Sequence, residues 1–327
     1  MYNKLEAKGE GLYMSTGLPG SFGNKKGKLL HRIWRARYIY LLLLPGLVYY
    51  IVFKYIPLSG IVMAFENYKA RLGLWRSPWV GLDNFRRLFI TTRAVNSIWN
   101  TLRISLFHML INMPVPFMLA LLLNELRMTK VKKLYQTIFT FPHFFSWIII
   151  SSLVINLLST NGALNGVIKA LGGKPMSFLA SKSLARPLLY ITSCWKEMGW
   201  DTIVYLAVIS GIDPALYEAA VIDGATRTQR IRHVTIPAMK ELLIVMIILH
   251  IGKLMNSGFD QIYNLRNDVT KLAVDTIDTY VYDITFGDKP NYSFSTAVSL
   301  FKSLVNIALL LISNKLSKAI AGQGVFK

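Results

Sequence analysis

The chain has 327 residues, is 53% hydrophobic and carries a formal net charge of +20, from 37 Lys and Arg against 17 Asp and Glu. Several separate apolar runs approach the roughly 20 residues that cross a bilayer, which excludes an ordinary soluble domain. The positive charge is therefore read as loop charge that fixes membrane topology and meets anionic lipid heads, with no nucleic acid as partner. The single cysteine, Cys194, excludes an internal disulfide and a cysteine-based metal site.

In chain order, residues 1–37 lack an apolar core and read as a cytoplasmic tail that ends in a basic cluster, Lys25, Lys26, Lys28, Arg32, Arg35 and Arg37. Six apolar runs follow, at residues 38–57, 98–123, 134–158, 185–210, 236–257 and 293–314. The predicted fold is all-α: a polytopic membrane protein of six transmembrane helices, a membrane domain over 38–314 and a short tail over 315–327. Prolines interrupt the runs, with Pro45-Gly46 in the first, Pro114 and Pro116 in the second and Pro142 in the third. The basic cluster before the first run places the N-terminus, and with six crossings the C-terminus, on the cytoplasmic side. Between the first two runs, Gly81–Phe89 is amphipathic and is expected to lie along the outer surface.

Loop 211–235 carries the most specific string. It reads Tyr217-Glu218-Ala219-Ala220-Val221-Ile222-Asp223-Gly224-Ala225, then Thr226 to His233, then Val234-Thr235-Ile236-Pro237. Glu218, Ala219 and Ala220 are helix formers, and the two alanines let another surface approach closely. Gly224 permits a sharp turn between two short helices. Pro237 sits near the first turn of the next helix, where its missing N–H costs little. This string resembles the EAA motif of ABC importer permeases, with Glu-Ala-Ala, three residues, Gly, nine residues, an aliphatic pair and Pro. Val234 and Ile236 are mild departures from the usual Ile and Leu.

The resemblance extends over nearly all of the chain after residue 35. Leu42–Phe65, Gly81-Leu82-Asp83-Asn84-Phe85, Phe141–Trp147, Asp275–Tyr282, Ser295–Val298 and Leu300–Ser303 are similar to segments of carbohydrate permeases of the LplB type, which belong with the maltose-type permeases. The resemblance implies a type I importer permease fold with cytoplasmic coupling helices in an inner membrane. It also implies a second, similar permease, two ATPase subunits docking on the 211–237 loop, and an extracytoplasmic solute-binding protein. The coupling residues would be Glu218, Ala219, Ala220, Asp223, Gly224, Ala225 and Pro237. The substrate would be an oligosaccharide, with acidic chains of uronate or alginate type ahead of neutral ones and a non-sugar solute behind both. No phosphate-binding loop is present, so ATP and Mg are expected on the partner ATPase, with no catalytic residue and no cofactor in this chain.

Polar groups inside membrane spans are expensive and mark candidate paths. At 100° per residue, Lys253, Asn256 and Asp260 of the fifth span share about 60° of arc, with His250 further round. Ser295, Ser299, Lys302 and Asn306 share a similar arc on the sixth. Ser193, Lys196, Glu197 and Trp200 share about 100° on the fourth, with Trp195 just outside. The expected substrate path is Trp195, Lys196, Glu197, Trp200, Lys253, Asn256, Asp260, Ser299, Lys302 and Asn306. Lys196, Lys253 and Lys302 are taken as cations without partners, which favours an anionic ligand. Helix packing, pairing of Lys196 with Glu197 and snorkelling of Lys302 are the structural alternatives. The histidines lie on different segments, so no metal is expected. A membrane hydrolase, a secondary transporter or channel, and an amino-acid or metal permease are the competing classes; the first two have no use for a docking loop.

Overall fold

The computed structural model describes residues 34–126 and 128–321. Most of the expected N-terminal tail, Arg127 and the last six residues lie outside the described residues. The chain divides between Ser59 and Gly60 into two compact units. The first holds α1, Arg37–Tyr50, which runs through Pro45 and continues as a wider turn over Ile51–Tyr55. The Arg37 guanidinium lies over the rings of Trp34 and Tyr38.

In the second unit, α2 (Asp83–Ile90) buries Leu88 and leaves Phe89 and Ile90 exposed. The next span is two helices, α3 (Thr92–Asn112) and α4 (Pro114–Asn124), joined at Met113, whose backbone stays right-handed helical while Pro114 has no N–H to continue the ladder. The third span also breaks. Its first half is α5 (Thr129–Thr140), followed by a tight turn over Phe141–Phe144 and then α6 (Trp147–Leu158). Ser146 caps the second half by accepting from the Ile149 N–H. After α7 (Ala163–Ala170) comes the longest unbroken helix before the loop, α8 (Lys182–Ser210).

Two short helices follow, α9 (Pro214–Ile222) and α10 (Arg227–Arg230). A wide turn over Ile231–Thr235 leads to α11 (Ile236–Ala238) and then α12 (Lys240–Gly252). The remainder is α13 (Phe259–Leu265), α14 (Lys271–Val274), α15 (Ile277–Phe286) and α16 (Tyr292–Ala321). Among the described residues, four helical stretches are long and apolar enough to cross a membrane, and two bent pairs raise the number to six. The bends are 71° between α8 and α9, and 64° between the 227–238 stretch and α12. The all-α reading therefore holds; the only strand-like feature among the described residues is an isolated bridge between Glu66 and Trp79.

One boundary is corrected. The fifth span was expected to run to residue 257, but its helix ends at Gly252. Residues 253–255 form a turn, 256 and 257 are irregular, and Gly258 takes φ +81° before α13 starts. Lys253, Asn256 and Asp260 thus share no helical arc: the first two lie beyond the end of α12 and Asp260 opens a new helix. The sequence holds the signal in Gly252 and in Asn256-Ser257-Gly258, a helix stop followed by turn residues.

Three apolar clusters hold the second unit. Ile104, Ile150, Val154 and Leu189 of α3, α6 and α8 meet Ile262 and Val274 of the 258–291 segment. Leu88, Ala94, Met255, Ile277, Phe294 and Val298 form the second. Ala120, Leu123, Tyr205, Leu206, Ile209 and Met239 form the third, nearest the α9–α10 loop. Gly199 is where α5 and α8 touch: a Cβ there would sit 2.2 Å from the Phe139 carbonyl carbon. The 258–291 segment is also fastened by charge. Asp275 accepts from Arg93 at 2.7 Å and from Arg266 at 2.6 Å, while Asp283 accepts from Arg266 at 2.7 Å and Lys271 at 2.9 Å, with Arg93 also reaching it. Arg186 adds a bond to the Asn100 amide oxygen at 2.9 Å, and Asn100 donates to the Leu272 and Asp275 carbonyls.

Candidate functional site

The α9–α10 loop is built by capping at each step. Pro214 occupies the first position of α9, and the Asp213 carboxylate accepts from the Ala215 N–H at 2.9 Å. The Ala225 N–H closes the far end on the Ala220 carbonyl at 2.8 Å, with Gly224 between them at φ +77°. That left-handed closure is the reason for a glycine here. Thr226 and Gln229 then form a reciprocal cap that starts α10. Tyr217 bonds Thr235 at 2.9 Å, which ties α9 to the wide turn after α10. Arg227 approaches Glu125 at 3.9 Å, so the loop sits at the same end of the bundle as the connection between the second and third spans.

Glu218, Ala219, Asp223 and Gly224 are exposed on this loop, Ala220 and Ala225 are half-buried, and Pro237 is exposed in α11. Sequence reasoning passed over the apolar crest beside them: Leu216, Val221 and Ile222 are exposed, Ile222 by 85%. The signal was available as apolar residues on a loop expected to face water.

A cavity of about 390 Å³ lies between α3, α8, the end of α12 and the turn that follows it. From the expected path it takes Glu197, Lys253 and Asn256. Trp195, Lys196, Trp200, Asp260, Ser299, Lys302 and Asn306 are not in its lining. Lys196 is 5% exposed; its ammonium donates to the His143 carbonyl at 2.9 Å, pairs with Glu197 at 3.1 Å and lies over the Trp147 ring. Trp200 stacks on His143 with centroids 4.4 Å apart, and His143 bonds the other Glu197 oxygen at 2.6 Å. These contacts pin the broken third span to α8. Lys302 pairs with Asp278 at 2.6 Å. Two of the three lysines taken as partnerless therefore have carboxylates within this chain, and only Lys253 faces the cavity.

The cavity also holds groups the sequence reading left out of its path. Ser105, His108 and Asn112 follow one another at helical spacing along α3, and Asp201 lies four residues beyond Glu197 on the face that Ser193 begins. That spacing was legible. Asp201 lines the cavity together with Glu197, His250 and Lys253. Four lining atoms, Ser105 Oγ, His108 Nε2, Asn112 Oδ1 and Ser257 Oγ, are buried without a hydrogen-bond partner. Such atoms are costly unless a polar molecule meets them. Among the described residues no group of three His, Cys, Asp or Glu is placed to hold a metal ion.

This architecture has close relatives. The model of the family described as "Binding-protein-dependent transport system inner membrane component" matches residues 16–322. The polygalacturonan/rhamnogalacturonan transport system permease protein YteP of Bacillus subtilis (strain 168) is 42% identical over 92% of this chain and 94% of its own length. Protein LplB of the same organism is 42% identical over 89% of this chain and 92% of its own. A solved bacterial ABC transporter involved in the import of the acidic polysaccharide alginate contains a chain that superposes with a TM-score of 0.83. That chain is 35% identical, and the match covers 90% of this chain and 99% of the other. With six potential spans, a doubly capped exposed loop and a match along nearly its whole length, the chain belongs to the inner membrane components of binding-protein-dependent transport systems.

Proposed function

We propose that this chain is the permease subunit of an ABC importer that carries acidic oligosaccharides of uronate type across the cytoplasmic membrane. The observation that carries the substrate class is the paired likeness, along almost the full chain, to a polygalacturonan/rhamnogalacturonan permease and to a chain of an alginate importer. A solved complex of the alginate transporter with its pentasaccharide-bound periplasmic protein supports a binding protein as donor of the sugar here. A second permease completes the pathway. Two ATPase subunits dock on residues 211–237, supply ATP and Mg, and rock the spans between outward-open and inward-open states. Both termini then face the cytoplasm, on the side of the docking loop. Glu218, Ala219, Ala220, Asp223, Gly224, Ala225 and Pro237 form this chain's half of the coupling surface, and the Leu216–Ile222 crest gives it apolar area.

One observation favours a neutral oligosaccharide. Lys196 and Lys302 are matched by carboxylates of their own chain, which removes two of the three cations that spoke for an anion. The test is uptake into proteoliposomes holding the complete importer, with oligogalacturonate and a neutral galacto-oligosaccharide of equal length. Uptake of the acidic sugar in excess is expected. Preference for the neutral one contradicts the acidic reading and leaves the sugar permease intact.

A further inference from the structure

The cavity offers two opposite charges that do not meet. Lys253 is exposed at its wall, and among the described residues no carboxylate comes within 4.0 Å of its ammonium. Asp201, from α8, lines the same cavity. By contrast, Arg93, Lys196, Arg266, Lys271 and Lys302 each sit on a carboxylate at contact distance.

The backbone presents Lys253 deliberately. Span five stops one residue earlier, the Lys253 N–H still reaches the His250 carbonyl at 3.1 Å, and the chain turns away through Asn256, whose N–H bonds the Lys253 carbonyl at 2.7 Å. Non-helical backbone within a membrane bundle is tolerated where it lines a cavity, and broken helices of this kind build transport sites.

We infer that Lys253 and Asp201 together read one acidic sugar unit, Lys253 holding its carboxylate and Asp201 accepting a hydrogen bond from a ring hydroxyl. The inference rests on the oligosaccharide permease reading and assigns residues to it. A uronate unit carries a carboxylate and hydroxyls on one rigid ring, so it spans a cation and an acceptor that are separated. The assignment has one sense: a sugar carboxylate is repelled by Asp201 and Glu197 and attracted by Lys253. Ser105, His108, Asn112 and Ser257 supply buried, unpartnered donors and acceptors for the remaining hydroxyls. The volume of about 390 Å³ falls in the range of small-molecule sites.

The experiment compares uptake of tetragalacturonate with that of its carboxyl-reduced, neutral counterpart in proteoliposomes of the complete importer. Lys253→Gln is expected to lower the acidic-to-neutral ratio about tenfold or more, the scale of a lost charge-assisted bond, while neutral uptake persists. Lys253→Arg keeps the preference. Asp201→Ala lowers uptake of both sugars. An unchanged ratio in Lys253→Gln, or an equal loss of both sugars, overturns the assignment of Lys253. Unchanged uptake of both sugars by Asp201→Ala overturns the assignment of Asp201. Wild-type uptake indifferent to the carboxyl groups overturns the acidic-substrate reading itself, and this assignment with it.

Discussion

Gly224 shows how a single backbone angle sets a requirement. Its φ of +77° lies in the left-handed region, and a Cβ would meet nothing within 4 Å. The cost of a side chain is therefore backbone strain, about 1 kcal/mol for most residues, plus whatever a docked partner adds. Gly224→Val is expected to insert and assemble yet uncouple ATP hydrolysis from uptake. Gly224→Asn, which tolerates the left-handed region, should retain a larger share of uptake. Equal loss in both variants would place the effect in the docked surface and not in the turn. The motif spacing made this glycine legible from the chain alone. The partners of Lys302 and Arg93 were not legible, because Asp278, Asp275 and Asp283 reach them only once distant segments pack. Burial raises the Asp283 carboxyl, but hydrogen bonds from Arg266, Lys271 and Arg93 outweigh that and hold it at about 2, below its ordinary 3.8. Its folded value is depressed, so its stabilisation is complete above 3.8 and fades as pH falls toward about 2. Thermal unfolding in detergent should show Asp283→Asn less stable than the parent by a constant amount from pH 7 to about 4, with the gap shrinking below. A gap that widens on acidification would contradict this.

At the scale of elements, the breaks matter more than the spans. Pro114 and Pro142 announced two of them, because proline removes a donor and restricts its predecessor. The end of α12 was hidden in an apolar run that continues through Leu254 and Met255, and hydropathy alone cannot tell a helix from a turn packed among helices. Close approach between helices is likewise invisible in composition. Gly199 sits against the Phe139 backbone, where even a methyl group has no room. Gly199→Ala must push α5 from α8, with a loss of roughly 1–3 kcal/mol by overpacking. The His143–Glu197 and Lys196–His143 contacts cross the same seam, so uptake should fall as well. A melting temperature equal to the parent's would show that the two helices are free to separate there. At the cavity, Ser105, His108 and Asn112 on α3 and Glu197 and Asp201 on α8 were legible as polar groups at helical spacing, whereas Lys253 and Asn256 lie beyond the end of α12; which of them share a space was a matter of how these segments meet.

For the whole molecule, the topology proposed above puts the α9–α10 loop on the cytoplasmic side and the 258–291 segment on the outer side. A cysteine introduced at Lys289, in a chain with Cys194→Ser, should react with an impermeant reagent added from outside intact cells; labelling only after the membrane is opened would reverse the topology. On that topology the ionic clasp around Asp275 and Asp283 would lie outside, on the side of the proposed binding protein, and the capped loop inside, on the side of the proposed ATPase. As the proposed permease, this chain would pass a sugar signal between those two ends. The most direct measurement is ATP hydrolysis by the purified, reconstituted importer containing this chain, with its binding protein, in the presence and absence of oligogalacturonate. Hydrolysis that rises only when both binding protein and sugar are present, and that loses this dependence in Gly224→Val, is the predicted result. Hydrolysis indifferent to every oligosaccharide offered, with this chain intact, would contradict the account.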